Sequence, residues 1–412
     1  MKVKTALAAC ALFWSVTAAS FGAEPVKIGF SMSLTGGVAP NGKQILLSMQ
    51  LWRDDINAKG GLLGRPVEFV FYDDQSNPAT VPGIYTKLID IDKVDLLIGP
   101  YATNMIAAAL PIVIQHKMMT IGFLGLAVNE EFHYAGYFGM APTGPGSKRA
   151  FSEGFFAAAM MQNPKPKTVA IVGADAEFGK NGTDGGRENA KDAGLTIVYD
   201  QRYPPSTTDY ASIMRAIQAT NPDIVFAAAY PPDTVGLVRA AAEIGLNTKM
   251  FGGTMIGLLA TTFKVQLGPL INRMVASEVY IPAPSFAFPG VRDMLARYQA
   301  QAPGQGLDPL GYGFAPFGYA GAQTLGIAVE ATKSLDPAKL TEYLHSHSFS
   351  TVVGTFSFGA DGEWSHQRVL ATQFHDVIAN NVDQFRDISH ETILWPPEYK
   401  TGDMIYPYSQ PK

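Results

Sequence analysis

One cysteine occurs in 412 residues, Cys10, close to the start of the chain. Charged residues make up only 16% of the chain, and the formal net charge is -5 with a pI near 5.8. No basic cluster stands out locally, and phosphate neutralisation needs one, so nucleic acid is excluded as a partner. A phosphate-binding loop is also missing. Gly173 to Asn181 (GADAEFGKN) has one residue too many before Gly179-Lys180 and ends in asparagine where serine or threonine is required. Neither HExxH nor GxSxG occurs, and no GxGxxG opens a helix after a first strand. His345 and His347 lack neighbouring carboxylates, so the pair reads as solvated polar side chains rather than metal ligands. Asp73-Asp74 reads as a solvated loop after a strand rather than a calcium site. No catalytic residue, metal site or cofactor is expected.

What is there begins with an export signal. Lys2 and Lys4 precede an apolar run from Ala6 to Ala19, and small residues lead to Ala23. The run is shorter than the roughly 20 residues that a spanning helix needs. We expect a signal peptide over 1–23, with cleavage near Ala18 or Ala19 as the alternative. Leu7 to Cys10 matches a bacterial lipoprotein box, but few apolar residues precede it and the run continues past it. The exported chain then has no thiol, which removes disulfides, cysteine nucleophiles and cysteine metal sites.

At 47% hydrophobic, the chain is globular, and its length allows two or three domains. From Val26, short apolar strands alternate with amphipathic helices. VKIGFSMSL is a strand, Asn41 to Asn57 has helical period, and Lys59-Gly60-Gly61 closes that helix. PVEFVFYDD, DLLIGP and MMTIGF are the next strands, with a helix capped at Asn77-Pro78 between the first two. This order predicts a parallel sheet with helices on both faces. After a Gly/Pro-rich link, Ala141 to Gly146, the pattern restarts with strands TVAIV, LTIVYD, DIVFAAAY and KMFGG. The fold class expected is therefore α/β, as two doubly wound parallel-sheet lobes. Helices around 289–301 and 313–333 are expected to join the first lobe. TVVGTFSF and VLATQFHDV are expected to join the second, and the Pro-rich end from Trp395 reads as a surface tail. Crossings near 142, 278 and 355 would make a three-segment hinge. The boundaries expected are 24–142 with 278–355 for lobe 1, and 143–277 with 356–412 for lobe 2.

An ordered set of short motifs runs through both halves. They are Ile28 to Gly37 (IGFSMSLTGG), Asp55 to Gly64 (DINAKGGLLG), Tyr72-Asp73-Asp74 and Ile98-Gly99-Pro100. Glu177-Phe178-Gly179, Ala229 to Pro232 (AYPP) and Phe251-Gly252-Gly253 follow. In this order and spacing the chain resembles the leucine/isoleucine/valine-type periplasmic solute-binding proteins of ABC transporters. The resemblance implies a type I periplasmic binding fold, with a cleft at the strand C-terminal ends, where ligands sit in open α/β sheets. It implies capture of a small carboxylate-bearing solute, either a hydrophobic amino acid or an aromatic or apolar carboxylic acid. It also implies closure of the lobes, delivery to an inner-membrane ABC permease, a periplasmic location and a monomer. A ligand sensor or co-receptor of the same fold, or an exported hydrolase with a scattered site, are the alternatives.

Carried over one position at a time, the resemblance places Thr103 where a hydroxyl meets the ligand carboxylate. Tyr101 and Ala102 share that loop, and Asn41 heads the first helix. Phe123, Leu124 and Gly125 fall where backbone amides and a second hydroxyl are usual, but GFLGLA carries no serine or threonine. Phe178 stands where tyrosine is common, and Tyr230 lines the amino-group side. Thr254 falls where the amino-acid binders carry an acid for the α-ammonium. A buried ammonium without an acid is costly. The departure therefore favours a simple carboxylate, unless Asp175, Glu177 or Asp233 substitutes. Tyr101, Phe123, Phe178, Tyr230 and Phe317 are expected to give the cleft aromatic walls. The family's disulfide positions fall near Ser76 and Ala102. The loop after DLLIGP, with small and hydroxylic residues and no fixed charge, is the expected anion cradle.

Overall fold

A computed structural model describes residues 24–409. The expected signal segment and Cys10 lie outside the described residues. No described helix is long and apolar enough to cross a membrane.

The first half builds β1 (Val26–Met32), α1 (Ala39–Ala58), β2 (Val67–Asp73), α2 (Val81–Asp90) and β3 (Leu96–Leu97). It continues with α3 (Thr103–Gln115), β4 (Thr120–Gly122), the single turn α4 (Asn129–Phe132) and β5 (Tyr137–Gly139). β1 pairs in parallel with β2 and β3, and β4 pairs in parallel with β5. The two groups are joined where Gly99 N–H donates to Ile121 O and Ala102 N–H donates to Phe123 O. Gly99 is needed for that approach, because a Cβ there would lie 2.9 Å from the Gly122 Cα. Asn77 caps the one-turn helix before α2, its side chain accepting from the Ala79 amide. α1 runs alongside the later helix over Ala315–Thr332, and Gly318 lets them touch, since an added Cβ would meet Ser48 Oγ at 2.3 Å.

The second half starts after Ala141–Gly146. Its elements are α5 (Ser147–Met160), β6 (Thr168–Ala174), α6 (Glu177–Asp192), β7 (Thr196–Tyr203), α7 (Tyr210–Ala219), β8 (Ile224–Ala229) and α8 (Pro231–Ile244). β9 (Met250–Met255), α9 (Thr261–Leu267) and β10 (Val275–Glu278) follow. The sheet order is β14-β13-β10-β9-β8-β6-β7, parallel from β10 to β7. Strands such as β8 (IVFAAA) are buried along their whole length, as expected of a parallel sheet covered on both faces. Alternation sorts the side chains: Ala170 and Val172 pack with α7 and α8, whereas Val169 and Ile171 pack with α5 and α6.

The chain then returns to the first sheet through α10 (Val291–Gln301), α11 (Ala315–Thr332), α12 (Pro337–Ser346) and the hairpin β11 (Ser348–Thr351)–β12 (Gly354–Ser357). It ends in the second sheet with β13 (Leu370–Phe374) and β14 (Glu391–Trp395), both in antiparallel pairings. The hairpin corrects one expectation. TVVGTFSF does not join the second sheet: β11 packs on α11, β12 on α12, and Phe358 lies edge-on to Phe138 of β5 at 5.0 Å. The alternating run carries a strand signal but does not say which sheet receives it. The end of the chain is also more than a surface tail. Tyr408 N–H donates to Lys249 O, and its ring meets Phe251 edge-on at 5.6 Å.

Candidate functional site

The loop between β3 and α3 sets the geometry. Ala102 adopts φ 80°, ψ 145°, a conformation costly for any residue with a Cβ, and acts as the N-cap of α3. Its carbonyl accepts from the amides of Met105 and Ile106. The amides of Thr103 and Asn104 make no backbone hydrogen bond among the described residues, as the first turn of a helix requires, and both are directed at the Tyr230 hydroxyl. Thr103 is fully buried, and its Oγ1 accepts from Leu126 N–H at 3.0 Å, which leaves its own proton to donate. The Tyr230 hydroxyl is buried beside this turn without a partner in hydrogen-bonding geometry. Burial pushes its phenol well up, while the Thr103 hydroxyl and the amides of Asn104 and Thr103 act in the opposite direction. An electronegative group thus already faces the head of α3, where helix geometry and dipole favour an anion.

The walls are aromatic. Phe178 stacks on Tyr230 with centroids 4.6 Å apart and rings 28° from parallel. Tyr101 is buried, meets Phe314 edge-on at 5.6 Å, and receives a hydrogen bond from Asn41 Nδ2 at 2.9 Å. Burial raises the Tyr101 phenol far above its ordinary range, with Tyr230 nearby adding to the effect. Phe123 is buried against α11, near the position a Cβ on Gly321 would take. Leu124 has φ 51°, and Gly125 sits against Ile106 and Tyr137. The loop GFLGLA contributes backbone and apolar surface, and the Leu126 amide is already given to Thr103. Phe317 is buried near Trp364, with centroids 6.3 Å apart.

The structure therefore brings Tyr101, Ala102, Thr103, Asn41 and Tyr230 to one locus, with Phe178 stacked behind Tyr230. Thr254 is oriented elsewhere. Its Oγ1 donates to Phe151 O of α5 at 3.1 Å, and Ser277 shares that acceptor at 2.6 Å. The reason is local: α5 crosses this end of β9 and β10 and presents Phe151 O to both hydroxyls. The three candidate acids differ. Asp233 accepts from Tyr210 Oη at 2.6 Å, and burial raises its carboxyl. Asp175 is exposed and lies 3.5 Å from Lys180 Nζ. Glu177 is half-exposed and has no ion pair among the described residues.

Two residues that sequence reasoning missed join the first half of the chain to the second here. Asn104 Oδ1 accepts from Phe178 N–H at 3.0 Å, and Asn181 Nδ2 donates to Leu126 O at 2.9 Å. Asn104 lies in the first turn of α3 and Asn181 in the second turn of α6, each after a strand-end loop, which was the available signal. The other polar candidates are structural. His345 sits between Gly359 O and Ala135 O, and His347 stacks on Tyr343. Asp74 accepts from Ser31 and Ser33, while Asp73 gathers Leu34, Thr35 and Gln75. No cluster of metal-ligating side chains occurs among the described residues.

Comparison with known proteins gives a consistent result. The profile of the family described as periplasmic binding protein matches residues 25–374. A Leu/Ile/Val-binding protein of Citrobacter freundii is 25% identical over 364 residues, 88% of this chain and 94% of that protein. Two solved structures share the fold. One is the branched-chain amino acid transporter substrate-binding protein of Streptococcus pneumoniae in complex with isoleucine. It has a TM-score of 0.73 and 18% identity, covering 90% of this chain and 99% of that one. The other is an ABC transporter solute-binding protein of R. palustris in complex with 4-hydroxybenzoate. It has a TM-score of 0.72 and 22% identity, covering 86% and 94%.

Proposed function

Because the chain belongs to the periplasmic binding protein family, we propose that it captures a small carboxylate-bearing solute for a branched-chain amino acid-type ABC importer. The solute sits between two lobes, 24–142 with 278–355 and 143–277 with 356–412, except that the hairpin to Phe358 packs on the first. The observation that carries the reading is the head of α3. Two amides without backbone acceptors and a Thr103 hydroxyl with its proton left to donate converge on one point, which the electronegative Tyr230 hydroxyl faces, with no fixed positive charge. A carboxylate fits such a set through charge-assisted hydrogen bonds. Phe178 and Tyr230 offer a stacking and apolar surface from the facing lobe. No chemistry on the solute is invoked. The protein acts in the periplasm as a monomer and passes its ligand to an inner-membrane permease.

Within this reading we favour an aromatic or other apolar carboxylic acid without an α-amino group. Thr254 is committed to Phe151 and Asp233 to Tyr210, so neither is free to receive a buried ammonium. A hydrophobic amino acid is the second reading, supported by Glu177 beside Phe178 and by the Leu/Ile/Val-binding relatives. A calorimetric or thermal-shift panel pairing each acid with its α-amino counterpart, such as phenylpropionate with phenylalanine, separates the two. Stronger binding of the acids is expected. Clear preference for the amino acids would replace the first reading with the second, and silence across the panel would remove both.

A further inference from the structure

We infer that the cleft selects solutes carrying a second polar group, a hydroxyl or other hydrogen-bond donor, at the end remote from the carboxylate. Gln44, together with Asn41, is the residue pair that reads it. This deepens the carboxylate reading above and rests on it.

The first two turns of α1 carry two fully buried carboxamides one turn apart, Asn41 and Gln44. Gln44 folds back along its own helix, and its Nε2 donates to Pro40 O at 3.0 Å. That bond fixes which end of the amide is which, because a carbonyl partner needs an N–H. Gln44 Oε1 is therefore an acceptor held at the level of the first turn, and no protein donor lies within hydrogen-bonding geometry of it. Asn41 gives its Nδ2 to Tyr101 Oη, and its Oδ1 likewise has no protein partner. Buried polar atoms without a partner are few in folded proteins, and two a single turn apart on one helix call for a reason.

Their position supplies one. α1 starts at the C-terminal end of β1, the edge of the sheet on which the α3 cradle also lies. Tyr101 joins the two features: its backbone belongs to the cradle loop, and its hydroxyl to Asn41. α11 runs parallel to α1, shown by Gly318 against Ile45 and Ser48 and Gly326 against Trp52. This brings the segment before α11 to the first turn of α1. That segment touches the second lobe, since a Cβ on Gly313 would lie 2.3 Å from Leu259 O. The acceptors therefore stand at the junction of the two lobes. Phe314 and Tyr101 are beside them, and the Tyr101 backbone leads directly into the α3 donors. Donors at the head of α3 and acceptors on α1 are thus linked through Tyr101, its backbone at one set and its hydroxyl at the other. A phenolic carboxylic acid, or an aromatic acid with another terminal donor, complements both.

The test measures dissociation constants by calorimetry for benzoate and for 3- and 4-hydroxybenzoate. In the wild type at least one hydroxylated acid is expected to bind roughly ten- to a hundredfold tighter than benzoate, the range for a donor that satisfies a buried acceptor. In Gln44→Met, which keeps the shape of the side chain and removes the acceptor, that ratio is expected to fall below about threefold. The ratio is the readout because a merely structural loss weakens all three acids alike. Equal binding of the three acids by the wild type overturns this inference and leaves the carboxylate reading standing, and so does a ratio that survives in Gln44→Met. Binding of none of them counts against the carboxylate reading and takes this inference with it. If Gln44→Met does not fold, the wild-type ratio alone decides.

Discussion

Removal of the Thr103 hydroxyl separates the binding role of the α3 cradle from its structural role. Thr103 is fully buried, and its Oγ1 accepts from Leu126 N–H at 3.0 Å. Thr103→Ala deletes that acceptor and one methyl. The stranded Leu126 amide costs about 1–3 kcal/mol of folding stability, and the lost methyl adds roughly 0.8 kcal/mol. The chain should still fold, with a lowered denaturation midpoint. Binding loses a separate interaction, a hydrogen bond from the Thr103 hydroxyl to a carboxylate. Hydrogen bonds to charged groups are worth about 1.5–3 kcal/mol, which is roughly 10- to 150-fold in Kd. Thr103→Ser keeps the hydroxyl and should recover most of the affinity. Its stability should fall only by the cost of the methyl. The assay is calorimetry with the tightest acid of the phenylpropionate panel, beside urea denaturation of each variant without ligand. Unchanged affinity in a folded Thr103→Ala would refute the cradle.

Two further perturbations concern buried charge away from the cradle. Glu363 is buried where the third crossing passes the first, with Oε2 3.5 Å from Thr143 Oγ1 and Oε1 unpartnered, and burial pushes its carboxyl up to about 8. The folded state then holds a proton that the unfolded chain releases above its ordinary value of 4.5. Stability attributable to this group therefore falls as pH rises from about 4.5 to about 8 and levels off beyond, by a few kcal/mol at most. Glu363→Gln should abolish that part of the slope. Urea midpoints at pH 5 and pH 8 measure it, and a wild-type-minus-variant difference that is the same at both would contradict the assignment. Lys264 is buried between Glu278 at 2.8 Å and Glu391 at 3.3 Å, tying α9 to β10 and β14. Lys264→Met leaves two buried carboxyls facing each other and should cost about 3–5 kcal/mol in chemical denaturation. A loss under 1 kcal/mol would show that the carboxyls find other partners.

Much of the fold is legible in the sequence because parallel sheets write themselves plainly. Fully apolar runs such as IVFAAA, each followed by an amphipathic helix, can only be strands covered on both faces. The Gly/Pro link at 141–146 marks the first crossing for the same local reason. TVVGTFSF was harder, since an alternating strand fits any half-buried sheet. Its place was decided by Phe358 against Phe138, a contact no local pattern announces. The site divides in the same way. Thr103 and the strand-end loop could be found because strand ends and helix starts are visible. The direction of the Thr254 hydroxyl could not, because it depends on a carbonyl of α5, over a hundred residues away in sequence. Gln44 was invisible as anything but a helical polar residue. Only the bond to Pro40 O fixes its orientation.

The arrangement also divides the work between the lobes. In the proposed function the amides of α3, Thr103 and the acceptors on α1 belong to one lobe, so their contacts with a solute would be the same with the cleft open or shut. Phe178 and Tyr230, stacked on each other, belong to the other in that reading, and a solute would meet them only on closure. A ligand shifts an equilibrium only by its differential contacts, so closure has to be driven from that second wall. A shift from 1:99 to 99:1 requires about 5.5 kcal/mol. A ring stack supplies about 0.5–1.5 kcal/mol beyond the apolar area that it buries. The protein contributes part of the remainder itself. Phe178 N–H to Asn104 Oδ1 and Asn181 Nδ2 to Leu126 O cross the cleft without any solute. At roughly 1 kcal/mol each, they bring the closed form within reach of a modest ligand. Loss of the Thr103 hydroxyl therefore reports the affinity of one lobe for the carboxylate, while the balance between open and closed forms rests on Phe178, Tyr230 and the two asparagines.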